Sequence, residues 1–274
     1  MSDTQNELLK LRKEIDNIDQ QIIDLLKDRI EFVKQVGKYK SKTSKTTSFI
    51  RSGREADMLR DLTKKIEGKF PAAAIATIWR MIISTSLDLE QKMNIAAYAK
   101  GNDNNCYWLA REYYGTFIET KCYESTDEII QKVARNDASV GILPLFDKSE
   151  LPWWLRPYDE KNDIYVFARI PFIEHKSDIH SPVLAIANVL PEKTGDDISL
   201  FAINGDIEES LIASIITAYD SEFTILGSHK NGKLIEIPLF IDEKDAINHD
   251  LQKDFKKNNV QARLLGSYAK PLFL

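Results

Sequence analysis

Apolar and polar positions alternate at spacings of three and four through the first stretch of the chain. Leu8, Leu11, Ile15, Ile18, Ile22 and Leu25 form one seam, and no Pro or Gly interrupts it before Gly37. That pattern predicts one long helix with an a/d stripe. The seam continues through Arg29, Phe32 and Val36, so Arg29 stands where a Leu or Ile is expected. Lys40 follows Arg29 by about three turns and shares nearly the same face, while Arg12 borders the seam at its other end. At about 1.5 Å per residue, Arg29 and Lys40 lie roughly 16 Å apart along the axis, and Arg12 about 25 Å from Arg29. Two long cationic side chains leaning together can hold one small ligand. Arg12 can join them only from an antiparallel partner helix, which implies a dimer. A seam arginine also snorkels or pairs with an acid, and the pattern by itself leaves both readings open.

Residues 43–49, TSKTTSF, lack periodicity and predict a loop. A second helix is expected from about Gly53 to Gly68, with Met58, Leu59, Leu62 and Ile66 on one face. Pro71 opens a third, running to about Met93. There Trp79, Ile82, Ile83, Ser86 and Glu90 recur at three and four, which puts Ser86 and Glu90 on the apolar face. Such a polar pair needs partners, since unpaired buried polar groups cost on the order of 1–3 kcal/mol. A ligand is one candidate, and Arg29 or Lys40 are the others.

From Asn94 the pattern changes to alternating short strands and helices, an α/β order. Residues 144–162, with Trp153 and Trp154, read as a loop in which the tryptophans pack. Residues 191–197 read as a linker. From Ile198 the order is strand, helix, strand, turn at Asn231–Gly232, strand, helix, strand, which predicts a ferredoxin-like βαββαβ plait. The expected architecture is therefore multidomain: an all-α three-helix domain over 1–93, an α/β region over 94–190 and a plait over 197–274.

Charge sharpens the division. Residues 1–92 hold 18 basic and 14 acidic side chains, and the remainder 19 and 28, within a net charge of −5. A mildly basic helical region suits an anionic partner. The absence of a basic stripe interleaved with aromatics argues against nucleic acid, so a small polycarboxylate fits better. No apolar run approaching 18 residues is read, and the N-terminus lacks a basic-then-apolar signal, so neither a membrane span nor an export signal is expected, and a cytoplasmic location is. Cys106 and Cys122 lack ligand spacing, and His175, His180, His229 and His249 are scattered, so no metal or other cofactor is expected.

The LRxxID…LLxxR opening, GKYK, RSGRE and the IISxSLxLEQ ending occur in one order over residues 8–92. On these motifs the region resembles the all-helical chorismate mutase family. Residues 94–274 resemble a shortened prephenate dehydratase with its ACT domain, carried by YEST, SVGILP and the LGSY ending. The resemblance implies an intertwined homodimer that rearranges chorismate to prephenate without metal, nucleophile or cofactor. By position, it implies that Arg29 and the Arg12 of a second copy clamp the two carboxylates. It further implies that Lys40 and Glu90 contact the ether oxygen, Ser86 assists at a carboxylate, Glu55 accepts from the ring hydroxyl and Arg54 buttresses Glu55. Arg51 is a further candidate, where the enteric form has an aspartate. Glu90 stands where some members carry Gln. A carboxylate cannot donate to an ether oxygen, so activity is expected to fall as pH rises.

The C-terminal half departs from its family. AKGNDNNC stands where a glycine-rich loop is expected, and His180-Ser181-Pro182 where a Thr-Arg-Phe motif is expected. Gly205-Asp206-Ile207-Glu208 and Gly227-Ser228-His229-Lys230 replace the motifs that bind phenylalanine. These departures imply a lost dehydratase activity, with prephenate passing to a separate enzyme. A bifunctional enzyme and a non-catalytic partner-binding protein are the alternatives.

Overall fold

Two apolar patterns, helical before residue 93 and alternating strand and helix after it, become two kinds of architecture in the computed structural model. The structure describes residues 3–43, 49–66, 68–147, 149–156, 163–174 and 181–273. The loop expected after Lys42 falls largely on 44–48, and His175 and His180 fall on 175–180, outside the described residues. By internal packing the chain divides into two units: Met1–Phe49 with Thr85–Lys92, and Ile50–Ser84 with Met93–Leu274.

The first unit is built on α1 (Asp3–Thr43), a single helix of 41 residues. Nothing in its sequence breaks the helix before Gly37, and a glycine in an α-helix costs only about 1 kcal/mol. Its seam is open: Leu8, Leu11, Ile15, Ile18, Ile22 and Leu25 are 48–67 % exposed. An apolar stripe of that length on a lone helix is the form of an unfilled helix–helix contact.

The second unit begins with α2 (Ser52–Ile66). Most of α3 (Ala72–Glu90) also belongs to it, and the end of α3 from Thr85 onward clusters with α1. Contrary to the reading of no apolar run near 18 residues, α3 is long and apolar enough to cross a membrane by length and composition. Its middle carries Arg80, buried and ion-paired to Glu55, as in the core helix of a folded domain.

Next come β1 (Asn94–Tyr98), α4 (Asn105–Tyr114), β2 (Glu119–Tyr123), α5 (Thr126–Ala134) and β3 (Val140–Pro144). β1 pairs in parallel with both β2 and β3. Ser125 caps α5 by accepting from the Glu128 N–H at 3.3 Å. The chain then returns through β4 (Tyr165–Ile170), the two-residue β5 (Ile173–Glu174) and β6 (Val183–Ala187). The resulting five-stranded sheet has the order β2-β1-β3-β6-β4, with β6 antiparallel to both neighbours. β3 and β6 are buried at every position, as central strands covered on both faces must be. Trp153 and Trp154 lie in a short 3₁₀ turn and are buried, their indole N–H groups donating to Pro144 O and Leu145 O at 2.8 Å.

The plait comprises β7 (Asp197–Asn204), α6 (Glu209–Thr217), β8 (Thr224–His229), β9 (Gly232–Ile237), α7 (Ala246–Lys257) and β10 (Gln261–Ala269). Its all-antiparallel order β10-β7-β9-β8 is that of a ferredoxin-like sheet. Phe201, Ile203, Ile212, Ile216, Leu251 and Phe255 fill the space between sheet and helices. The hairpin turn lies one residue earlier than expected. His229 pairs with Gly232, so Lys230 and Asn231 form the loop. Gly232 is needed inside the strand instead, where a Cβ would stand 2.1 Å from Ile203 O. β11 (Leu272–Phe273) closes the described chain by pairing in parallel with β5, a two-stranded sheet too short to show in the sequence pattern.

The two sheets of this unit are tied by charge as well as contact. Arg169 of β4 donates to Glu236 of β9 at 2.8 Å, and Tyr268 of β10 donates to the same carboxylate oxygen at 2.6 Å. Burial leads the upward shift of the Tyr268 hydroxyl, with Glu236 adding to it, so it remains a donor.

Candidate functional site

The inward polar residues of α3 find their partners on α1. Arg29 donates from Nη1 to Ser86 Oγ, and Ser86 is 5 % exposed. Lys40 Nζ lies 3.2 Å from Glu90 Oε2, both side chains mostly covered. Lys40 Nζ also stands 5.3 Å from the centre of the Phe49 ring. The helical period explains both pairs. Arg29 and Lys40 share a face of α1, and Ser86 and Glu90 are one turn apart on α3. Gly37 is close to this pair, but a Cβ there would make only ordinary contact with Glu90 at 3.6 Å. This unit thus gathers two cations, a hydroxyl and a carboxylate in a partly covered setting, where charge acts more strongly than in water. Arg12 lies exposed on α1.

Arg51, Arg54 and Glu55 belong to the second unit. Glu55 is buried, and its Oε2 accepts from Arg80 Nη1 at 2.7 Å. Its Oε1 accepts a longer bond, 3.4 Å, from the Arg51 N–H. Arg51 is exposed and donates from Nε to Glu192, whose other oxygen is 3.5 Å from the Arg54 N–H. The Arg54 side chain is exposed. The residue that holds Glu55 is therefore Arg80, where the resemblance pointed to Arg54.

Arg80 was legible by the same signal that exposed Arg29. Ala76, Arg80, Ile83 and Leu87 recur at four, three and four, and all four are buried. The guanidinium stands 4.4 Å from the Tyr113 ring centre and 5.8 Å from that of Tyr114. Burial opposes its charge, but Tyr113 and Glu55 outweigh burial and raise its pKa above the ordinary arginine value. Burial raises the neighbouring Tyr113 hydroxyl, so that ring stays neutral.

Among the described residues no group of three or more His, Cys, Asp or Glu is placed to hold a metal ion. Cys106 is buried, and burial raises its thiol pKa; Cys122 is exposed. A cavity of about 190 Å³ beside Arg80 is lined by Leu59, Leu109, Tyr113, Pro171 and Phe172 among others.

Residues 11–91 match the family model described as chorismate mutase type II. The chain thus carries a chorismate mutase type II domain at its N-terminus. A bifunctional chorismate mutase/prephenate dehydratase of Aquifex aeolicus is 32 % identical over 141 residues, covering 51 % of this chain and 39 % of that protein. Its counterpart from Pseudomonas aeruginosa is 26 % identical over 149 residues, covering 53 % and 40 %. The matched stretch therefore spans about two-fifths of these curated relatives. An X-ray structure of prephenate dehydratase from Streptococcus mutans aligns with a TM-score of 0.42 at 14 % identity, over 66 % of this chain and 100 % of that one.

Proposed function

We propose that the chain is a chorismate mutase, catalysing the pericyclic rearrangement of chorismate to prephenate. The observation that carries the reading is the family match over residues 11–91, which contains every one of the proposed substrate contacts. The reaction needs no nucleophile, metal or external proton. It needs a flexible dicarboxylate held in a compact conformer, and stabilisation of the negative charge that grows on the ether oxygen. Arg29 is suited to a carboxylate because a guanidinium donates in bidentate fashion, and Ser86 assists it. Lys40 and Glu90 serve the ether oxygen. Glu55 accepts from the ring hydroxyl, Arg51 and Arg54 flank it, and Arg12 comes from a second copy docked along the open seam of α1.

In this reading 1–93 is the mutase domain, 94–190 a reduced dehydratase-like region and 197–274 an ACT-like domain, the whole acting in the cytoplasm. The C-terminal half is degenerate as a dehydratase. In its support, AKGNDNNC replaces the expected glycine-rich loop, and Ser181-Pro182 stands within the segment where the Thr-Arg-Phe motif is expected. Prephenate then passes to a separate enzyme. A bifunctional mutase–dehydratase is the second reading, favoured by the curated relatives, which carry both names.

Purified protein incubated with chorismate tests the first claim, read by loss of chorismate absorbance and appearance of prephenate. A folded protein without turnover would instead be a non-catalytic binding protein. Incubation with prephenate tests the second claim. Phenylpyruvate forming at catalytic rates would establish the bifunctional reading.

A further inference from the structure

The carboxylate of Glu55 is held by Arg80, and Arg80 is braced in turn by Tyr113, which lies outside the stretch matching the mutase family. Arg80 Nη1 donates to Glu55 Oε2 at 2.7 Å and lies 3.3 Å from Tyr113 Oη. The guanidinium is stacked against the Tyr113 ring at 4.4 Å, and the Tyr114 ring meets Tyr113 edge-on at 4.9 Å. The family match ends at residue 91, whereas both tyrosines sit at the end of α4. Arg80 is thus wedged between a carboxylate and an aromatic wall supplied by the C-terminal half.

The start of α2 is anchored from the same side. Glu192 takes the Arg51 Nε–H and approaches the Arg54 N–H at 3.5 Å. Gly53 admits this approach, because a Cβ there would stand 2.8 Å from Glu192 Cβ. Arg60, further along α2, donates to Thr194 Oγ1 at 2.9 Å, Asp196 O at 2.7 Å and Lys270 O at 3.0 Å. The helix carrying Glu55 therefore has its position and its carboxylate orientation set by residues 113, 192–196 and 270.

We infer that Arg80 and Tyr113 are positioning residues for the substrate's ring hydroxyl, acting through Glu55, so that the C-terminal half completes the mutase. The inference rests on the proposed function, in which Glu55 accepts from that hydroxyl. With Oε2 fixed by Arg80, Oε1 faces one long bond from the Arg51 N–H and keeps capacity for the substrate. A hydroxyl contact made alike in bound substrate and transition state appears in KM rather than kcat.

The test is steady-state kinetics of the full chain with chorismate, and with an analogue bearing hydrogen in place of the ring hydroxyl. Tyr113→Leu should raise KM for chorismate at least fivefold with kcat within twofold. Tyr113→Phe, which keeps the stacked ring, should stay within twofold in both. For the analogue, Tyr113→Leu and the unsubstituted protein should have equal kcat/KM. Arg80→Lys keeps the charge but not the stacking plane and should give the same KM split, serving as the test if Tyr113→Leu does not fold. An unchanged KM in a folded variant, or an equal loss with the analogue, overturns the inference alone. Absence of chorismate turnover in the unsubstituted protein overturns the functional reading and the inference with it.

Discussion

Lys40 Nζ and Glu90 Oε2 stand 3.2 Å apart, joining the end of α3 to a point on α1 fifty residues earlier in the chain. Within the proposed reaction, Lys40 can donate to the ether oxygen, whereas Glu90 can do so only when it carries a proton. Glu90→Gln presents an amide N–H at the same position and should keep kcat/KM for chorismate within about tenfold, whereas Glu90→Ala should lower it by about 10²–10³. An unchanged rate in Glu90→Ala would remove Glu90 from this role.

Arg29 donates to Ser86, which orients its guanidinium. Losing one preorganised charge-stabilising donor costs about 2.7–4 kcal/mol in other enzymes, or 10²–10³ in rate. Arg29→Ala should lower kcat/KM for chorismate by that factor while leaving the melting temperature within a few degrees. Conversion at an unchanged rate would show that Arg29 does not touch the substrate.

The open seam of α1 is expected to be covered by a second copy. Fully burying each Leu or Ile contributes roughly 1.5–3 kcal/mol. Ile18, 54 % exposed in the single chain, lies near the middle of the stripe. Ile18→Glu would place a charge in that contact. It should yield a monomer by sedimentation or light scattering, with chorismate turnover lost because Arg12 must come from the partner. A monomer of full activity would overturn the shared site.

Gly266 has φ of +145°, and a Cβ there would stand 2.2 Å from Val166 O. This is where β10 of the plait runs against β4 of the five-stranded sheet. Overpacking of this kind costs typically 1–3 kcal/mol, and the backbone angle adds to it. Gly266→Ala should lower the thermal midpoint by several degrees in calorimetry. An unchanged midpoint would mean that the two sheets separate without cost at this point.

Helical and strand periodicities, a matter of neighbours along the chain, were legible in the longer elements. They placed α1, α2, α3 and the βαββαβ order of the plait, and they set Arg29, Lys40, Ser86 and Glu90 on inward faces. The same arithmetic applied to Ala76, Arg80, Ile83 and Leu87 would have marked Arg80. Glu192 carried no such signal, because a glutamate in a stretch reading PEKTGDD looks like any solvated linker residue.

Local repetition in the sequence therefore determined the elements and the faces they present, since a helix turn or a strand pleat depends only on residues a few positions apart. Tertiary structure alone decided the pairings between distant segments: Arg80 with Glu55 across 25 positions, Arg80 with Tyr113 across 33, and Arg51 with Glu192 across 141. The reason is physical. Which charge is matched to which, and where only a glycine fits, depends on the volume and electrostatics shared by segments once they pack. Those quantities do not exist in the chain until it folds.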